Sequence, residues 1–223
     1  MPTINLNKGG RIIGTVDSSQ AAARDEASGT STVQGTAQDN AVQYFKSTGR
    51  GGGTFRYIRS FLQFDSSSIT SAVGSAILNI ESQGISSTAD VIVCASDAFG
   101  GASDDLINDD FNNVDFSTAY SSEVSTWNAN GANNAITLNS SAHTAIENNN
   151  SFICAIVDHD SDFQDTDSLS GSGNTTVGID FSGTITLVVT LAGYANDVNG
   201  VTSANISKVN GVATADIDKI IGV

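Results

Sequence analysis

The chain has 223 residues, of which 24 are Asp or Glu and nine are Lys or Arg, for a formal net charge of −15. Residues 60–207 hold 18 of the acids and no Lys or Arg, so this stretch repels nucleic-acid phosphates and anionic lipid surfaces. The length suits one domain of about 190 residues with an appendage, and no nucleic-acid or membrane partner is expected.

Residues 1–48 are polar and rich in Ala, Ser, Thr and Gln, with one short apolar patch at residues 11–14. We interpret them as an N-terminal arm that includes a first strand. The glycine-rich stretch 49–53 follows. It lacks the Gly-Lys-Ser/Thr ending of a phosphate-binding loop, so it is predicted to be a plain loop.

From residue 54 onward apolar and polar residues alternate, which is typical of strands. Residues 65–69 are predicted to form one capped turn. Helix signals are limited to 104–111 and 141–147, where Ser141 is the expected cap. Many strands and little helix predict an all-β fold, an antiparallel β-sandwich of jelly-roll type, whose main part covers residues 49–196. The predicted strands are 54–64, 76–80, 90–96, 135–138, 151–158, 176–181 and 184–191.

The order of these elements resembles a known family. Residues 57–69 read Tyr-Ile-Arg-Ser-Phe-Leu-Gln-Phe-Asp-Ser-Ser-Ser-Ile and are followed by the strand at 76–80. This pattern is similar to the Arg-x-x-Leu-x-Phe-Asp core of DNRLRE-type domains, as are the acidic-Phe strand ending at Phe181 and the final alternating strand. The resemblance covers roughly residues 8–194 and implies a jelly roll like those of carbohydrate-binding modules. The prolines and later basic residues usual in that family are missing, so it maps no ligand face.

The last 26 residues repeat themselves. Residues 198–208 read Val-Asn-Gly-Val-Thr-Ser-Ala-Asn-Ile-Ser-Lys, and residues 209–219 read Val-Asn-Gly-Val-Ala-Thr-Ala-Asp-Ile-Asp-Lys. A fragment of a third copy follows. Units this short cannot bury their own aliphatic side chains, because a repeat needs neighbours to cover its apolar face. Residues 197–223 are therefore interpreted as a tail that docks on partners, although packing on their own sandwich is the alternative.

The predicted docking residues are the aliphatic side chains of the repeat: Val198, Val201, Ile206, Val209, Val212, Ile217, Ile220, Ile221 and Val223. Units of this kind resemble the tails of structural proteins of tailed bacteriophages. That resemblance implies a virion protein that is made in the host cytoplasm and that contacts capsid or other virion proteins, with homo-oligomers expected. The amino-terminal residues contain no apolar core of a secretory signal, which agrees with this interpretation.

Candidate catalytic groups are few. Cys94 and Cys154 lie in apolar runs and are predicted to be buried free thiols, with a disulfide as the alternative. His143 and His159 are the two histidines, and no metal-binding or nucleophile-elbow motif accompanies them. We therefore predict a non-enzymatic protein with no cofactor. A glycan hydrolase is the weakest hypothesis, because it would need two positioned carboxylates.

Two further features of the sequence each allow two interpretations. Asp158, Asp160 and Asp162 alternate in the chain as the first ligands of a calcium loop do, but Phe163 replaces the glycine that such a loop needs. An exposed acidic loop is the alternative. Trp127 is expected to cover the core, with an exposed sugar-stacking role as the alternative.

Three functions follow from these features. The preferred one is a virion structural protein, a capsid decoration or head-fibre protein anchored or oligomerised through its repeat tail. The second is a carbohydrate-binding adhesin or tail component that contacts host glycans. The third is the hydrolase.

Overall fold

The computed structural model describes residues 1–49, 52–101, 104–192, 208–209 and 212–213. Its elements, in chain order, are β1 (Thr3–Ile13), α1 (Gln20–Arg24), β2 (Ser31–Gln34), β3 (Ala37–Gly49), β4 (Gly52–Asp65), β5 (Val73–Ser87), β6 (Val91–Ser96), α2 (Ala98–Gly101), a 3₁₀ turn (Asn108–Asn112), β7 (Val114–Ala119), β8 (Asn133–Leu138), α3 (Ser140–Asn148), β9 (Ser151–Asp158), a π-turn (His159–Phe163), β10 (Gly173–Asp180), β11 (Ile185–Leu191), β12 (Lys208–Val209) and β13 (Val212–Ala213).

Antiparallel pairing joins the strands into a circuit that returns to its start. β1 pairs with β11, β11 with β5, β5 with β10, β10 with β3, β3 with β4, and β4 with β1. From β4 the sheet continues through β9 and β6 to β7, while β8 adds to β5. The layer β1–β11–β5–β8 thereby covers the layer around β3, β4, β9 and β6. The predicted all-β antiparallel sandwich is confirmed.

The main core lies between the two layers. In β11 and β8 every second residue is buried, because one face of these strands packs inward and the other faces solvent. Leu78 and Leu187 are opposite each other in the ladder, and both belong to this core together with Leu62 and Ile156 of the other layer. The alternation that predicted these strands is therefore the pattern of a half-buried sheet.

A second core lies on the far side of β4, β6 and β9, so these strands are buried on both faces. Tyr57 and Phe61 of β4 belong to the second core, whereas Leu62 and Phe64 belong to the main one. Side chains from α1, α2 and the 3₁₀ turn cover the second core. Burial on both faces explains why β9 is a continuous apolar run.

The two cysteines illustrate this division. Cys94 faces the second core and Cys154 faces the main core, on the adjacent strands β6 and β9. A disulfide requires the two Cβ atoms to face each other, so side chains on opposite faces of a sheet cannot form one. Both thiols are buried and free, as predicted.

The first 48 residues contribute more structure than the sequence indicated. Residues interpreted as an arm form β1, α1, β2 and β3, and β3 lies between β10 and β4 inside the circuit. The interpretation of this segment as an arm is wrong in that respect. Only Ala41 to Tyr44 of β3 are buried, and the ends of the strand stay partly exposed. Because the exposed ends are mostly polar, the sequence did not indicate a central strand here.

The predicted helices needed two corrections. The helix expected at 104–111 is only the 3₁₀ turn Asn108–Asn112, because Asp110 uses its carboxylate to accept the backbone N–H groups of Ile107 and Phe99. The helix at 141–147 is present as α3, but its cap is Asn139, which accepts from the N–H groups of Ser141 and Ala142. The capped turn after β4 is confirmed by the Asp65 carboxylate, which accepts the Ser67 N–H.

β10 lies between β3 and β5, and it needs a glycine where it pairs with both of them. The register of both ladders shifts between Val177 and Ile179, and a Cβ at Gly178 would lie 2.0 Å from the Gln83 carbonyl oxygen. That atom belongs to the backbone, so it cannot move aside as a side-chain end would.

We expect Gly178→Ala to lower the free energy of unfolding by about 1–3 kcal/mol, because a methyl group there forces the strands apart. Urea unfolding monitored by circular dichroism measures the change. Gly171→Ala is the matched control, because a Cβ at Gly171 meets no atom within 4 Å. Equal stability of the two variants would contradict the idea that the Gln83 carbonyl oxygen leaves no room for a side chain at residue 178.

Candidate assembly site and the network that holds the sandwich

The candidate assembly site is the repeat tail, of which the structure describes one short ladder. Val209 ends β12 and Val212 begins β13, and they are paired with each other, as are Lys208 and Ala213. The other predicted docking residues lie outside the described residues: Val198, Val201, Ile206, Ile217, Ile220, Ile221 and Val223.

The register of this ladder matches the sequence of the repeat. Pairing of Val209 with Val212 leaves two residues between the strands, and they are Asn210 and Gly211. Asn-Gly is the strongest short signal for a two-residue hairpin, since both residues tolerate the positive φ that such turns demand. The first unit has the same Val-Asn-Gly-Val order, but its residues 198–201 lie outside the described part of the chain.

The ladder β12–β13 forms a sheet of its own and pairs with no strand of the eleven-stranded sheet in the described part of the chain. Docking of the tail on partners stays a prediction made from the sequence of the repeat.

The second core is held by a buried ion pair between β4 and the π-turn. Arg59 Nε donates to Asp162 Oδ2 at 2.8 Å and Arg59 Nη2 donates to Asp162 Oδ1 at 2.7 Å, a two-point contact of planar groups. Both side chains are inaccessible to solvent, at 0% and 1% exposure. Such a pair repays its desolvation only if the remaining hydrogen-bonding groups also find partners.

Those partners come from elements far apart in the chain. Arg59 Nη1 donates to the Phe111 carbonyl oxygen at 2.8 Å, and Nη2 donates to the Arg24 carbonyl oxygen at 2.6 Å. The guanidinium also lies 4.2 Å from the centre of the Phe111 ring. One side chain thus ties α1, the 3₁₀ turn and the π-turn to β4.

The segment after β9 is fastened by further side chains of β3 and β4. Tyr57 Oη donates to the Ser161 carbonyl oxygen at 2.9 Å, and Tyr44 Oη donates to Asp167 Oδ1 at 2.8 Å. The two tyrosine rings stack with centroids 5.2 Å apart. Lys46 also pairs with Asp167. The Asp-rich segment that follows β9, residues 159–167, is therefore held against β3 and β4.

The three aspartates that alternate at the end of β9 have separate hydrogen-bond partners. Asp162 binds Arg59, Asp160 accepts from His159 Nδ1, and Asp158 accepts from the Ser161 N–H and the Thr175 hydroxyl. The three carboxylates point to separate partners, and the part of the chain that the structure describes contains no acidic or histidine group arranged for a metal ion. The alternative of an exposed loop is also wrong for Asp158 and Asp162, which are buried.

The remaining candidate catalytic groups have structural roles. His143 Nε2 lies 3.0 Å from the Leu138 carbonyl oxygen, and His159 stacks on Phe163. Burial raises the pKa of the Cys94 thiol to about 12 and that of Cys154 further. Thiolates are the reactive form, so neither cysteine is poised as a nucleophile.

Trp127 lies in the main core with 6% of its surface exposed. It therefore cannot stack on a sugar. The Phe and Tyr side chains of the described residues are likewise buried or partly buried. No Phe, Tyr or Trp side chain whose burial is described falls in the exposed class.

No protein-family model matches this chain, and no curated protein is significantly similar to it. None of the helices described is long and apolar enough to cross a membrane. The assignment of function consequently depends on the molecule's own residues.

The sequence did contain a signal for the buried arginine. Arg59 falls between Tyr57 and Phe61 on one face of β4, while Leu62 and Phe64 occupy the other. A cation between aromatic residues in a strand that is apolar on both faces indicates a buried ion pair. The acid that completes it, 103 residues later, was not identifiable without the fold.

We expect Asp162→Asn to lower the free energy of unfolding by about 3–5 kcal/mol, because it leaves the Arg59 cation buried without its counter-charge. Urea titration measures the change. Asp160→Asn is the control, since the half-exposed Asp160 carboxylate contributes less than about 1 kcal/mol. Arg59→Met with Asp162→Asn should lose less than the sum of the single losses, and simple additivity would contradict a direct pair.

Asp158 generates a prediction about pH. Burial raises the pKa of its carboxyl group, although the bonds from Thr175 and Ser161 oppose the rise. A raised pKa means that the protonated form favours folding below the unfolded pKa of about 3.9, and that this stability is lost as pH rises through the folded pKa. Asp158→Asn should therefore gain stability relative to the unsubstituted protein between acid and neutral pH.

Asp65 supplies a control of opposite sign. Hydrogen bonds from Ser67 lower the pKa of this exposed carboxyl group. Its contribution is present above the unfolded pKa and is lost as pH falls. Unfolding curves of both Asn variants across the acid range should diverge from the unsubstituted protein in opposite directions, and parallel curves would contradict both assignments.

Proposed function

We propose that this protein is a non-enzymatic structural component of a virus particle, a capsid decoration or head-fibre protein. Its sandwich is displayed on the particle, and its repeat tail attaches it to capsid or other virion proteins or joins it to further copies of itself. The tail repeat carries the proposal, because its aliphatic residues recur in units too short to cover themselves.

The register of β12 and β13 supports a docking role for the tail. The described ladder joins the last residue of the first unit to the beginning of the second, and within the described residues it pairs with no other strand. Lys208 and Lys219 are the only cations after residue 59, and each ends a repeat unit. A basic tail residue beside aliphatic ones suits an acidic neighbour such as the sandwich of another copy.

The sandwich itself supports the non-enzymatic part of the proposal. Its buried acids and histidines bind partners that hold the fold, and its thiols are buried on opposite faces of a sheet. An active site requires a nucleophile, base or metal held free to meet a substrate. The described groups are committed to packing instead.

The glycan-binding adhesin remains the second candidate from the sequence, through the resemblance to carbohydrate-binding modules. It draws less support from the fold, because the described aromatic side chains are not exposed for stacking. A glycan array with the full chain distinguishes the two functions.

The proposal is tested by following the chain into particles. An antibody raised against the full chain should label particles purified on a density gradient. Full-length chain should sediment with the particles, and Val209→Asp with Val212→Asp should reduce that fraction at least about tenfold, because two charges enter an apolar contact. Val16→Asp, at an exposed position of the sandwich, is the control.

Several outcomes separate the parts of the proposal. A chain absent from purified particles would reject the virion assignment. Equal incorporation of the tail variant and the control would reject docking through the tail. Specific capture of one glycan class on the array, without incorporation into particles, would favour the adhesin.

A further inference from the structure

Six Lys and Arg side chains are described among the first 59 residues, and two of them have no acidic partner. The other four pair with Asp carboxylates: Lys8, Arg24, Lys46 and Arg59. Arg11 and Arg56 form no ion pair with any acid in the described part of the chain, although the whole chain has 24 Asp and Glu residues. The excess of acid makes two cations without a counter-ion unexpected.

The two arginines lie on the same face of neighbouring strands. Leu62 of β4 belongs to the main core, and residues two apart along a strand share a face, so Ser60 and Arg56 are on that face as well. Arg11 is opposite Ser60 in the β1–β4 ladder, which places it on the same face. Both arginines are partly exposed, so they lie at the margin of the main core within reach of solvent.

Neutral side chains of β3 hold both guanidinium groups in position. Arg11 Nη1 donates to the Asn40 carbonyl oxygen at 2.5 Å and also to the Asn40 side-chain oxygen. Arg56 Nη2 donates to Gln43 Oε1 at 3.0 Å, and Arg56 Cζ lies 5.4 Å from the centre of the Phe45 ring. These contacts orient the two groups without neutralising their charge.

The two positive charges act on each other. Burial lowers the pKa of the Arg11 guanidinium, and the nearby charge of Arg56 lowers it further. Asp39 acts in the opposite direction on this pKa, but its carboxylate accepts from Gln83 Nε2 at 3.2 Å and forms no ion pair with either arginine. The Nε atom of each arginine is buried and has no hydrogen-bond partner. An unpartnered buried donor requires an explanation, and a bound anion is one that would also balance the two charges.

We propose that Arg11 and Arg56 form a binding site for a tetrahedral oxyanion with two negative charges, a phosphate or sulfate group. A guanidinium can donate two parallel N–H groups to such an ion, and one doubly charged ion neutralises both arginines. This site is independent of the repeat tail and does not rest on the virion assignment.

The acidic surface restricts the ligand to a small one. A nucleic acid or another extended polyanion would bring its remaining charges against the acids that give the chain its net charge of −15. A single oxyanion contacts only the two arginines. A carboxylate supplies one charge for two cations, so we expect it to bind more weakly.

Isothermal titration calorimetry of the full chain with phosphate and with sulfate tests the proposal, at an ionic strength held constant with chloride. A dissociation constant of about 1 mM is expected, because two partly exposed cations bind a single ion weakly. Arg56→Gln should weaken binding at least about tenfold, since one of the two charged contacts is lost. Lys8→Gln is the matched control, because it removes an equal charge whose partner is Asp105.

Two further variants keep the test independent of folding defects. Arg11→Gln should weaken binding as Arg56→Gln does, and circular dichroism verifies that each variant is folded. Arg56→Lys keeps the charge but loses the two-point contact, so its affinity should lie between those of the unsubstituted protein and Arg56→Gln. Binding that is equal in both Gln variants and in Lys8→Gln would overturn the proposal.

The choice of probe distinguishes the sources of the oxyanion. Phosphoserine carries the same group on a larger molecule, so binding equal to that of phosphate would assign the site to phosphate esters. Binding of phosphate and sulfate without phosphoserine would assign it to free ions. Absence of binding by phosphate and sulfate up to about 20 mM would overturn the proposal. Acetate that binds as tightly as phosphate would overturn the doubly charged ligand.

Discussion

The pairing of Arg59 with Asp162 is the constraint around which the rest of the sandwich is arranged. A guanidinium at 0% exposure is tolerated only because a carboxylate meets it at two points and because two backbone carbonyl groups accept its other hydrogens. These partners come from the π-turn, the 3₁₀ turn and α1. None of these elements is long enough to be stable alone, so their position over β4 depends on the charge that they surround.

The distribution of charge along the chain becomes meaningful in three dimensions. Among the described residues, the cations of the first 59 positions lie on α1, β1, β3 and β4. Acids that follow in the chain pair with some of them, as in Lys46–Asp167 and Lys8–Asp105. The acids left over give the surface its negative charge.

The spacing of apolar residues along the sequence was sufficient to predict the strands that face solvent on one side and those that are apolar throughout. β9 was predicted with its bounds, because a continuous apolar run between turn residues fits little else. β3 was missed because most of its length is polar and its place comes from pairing with β10 and β4. The 3₁₀ turn was overestimated as a helix, since the local pattern does not indicate that Asp110 would cap one turn and also bind Phe99.

By itself the sequence determined the β class, the excess of acid and the repeat, because each depends on residues close together in the chain. Only the tertiary structure decided which acids are buried, that Asp158, Asp160 and Asp162 diverge to separate partners, and that Cys94 and Cys154 lie on opposite faces. These outcomes depend on which strands become neighbours. Paired residues on neighbouring strands can lie more than a hundred positions apart in the chain, as Lys46 and Gly173 do. No local pattern in the sequence encodes that pairing.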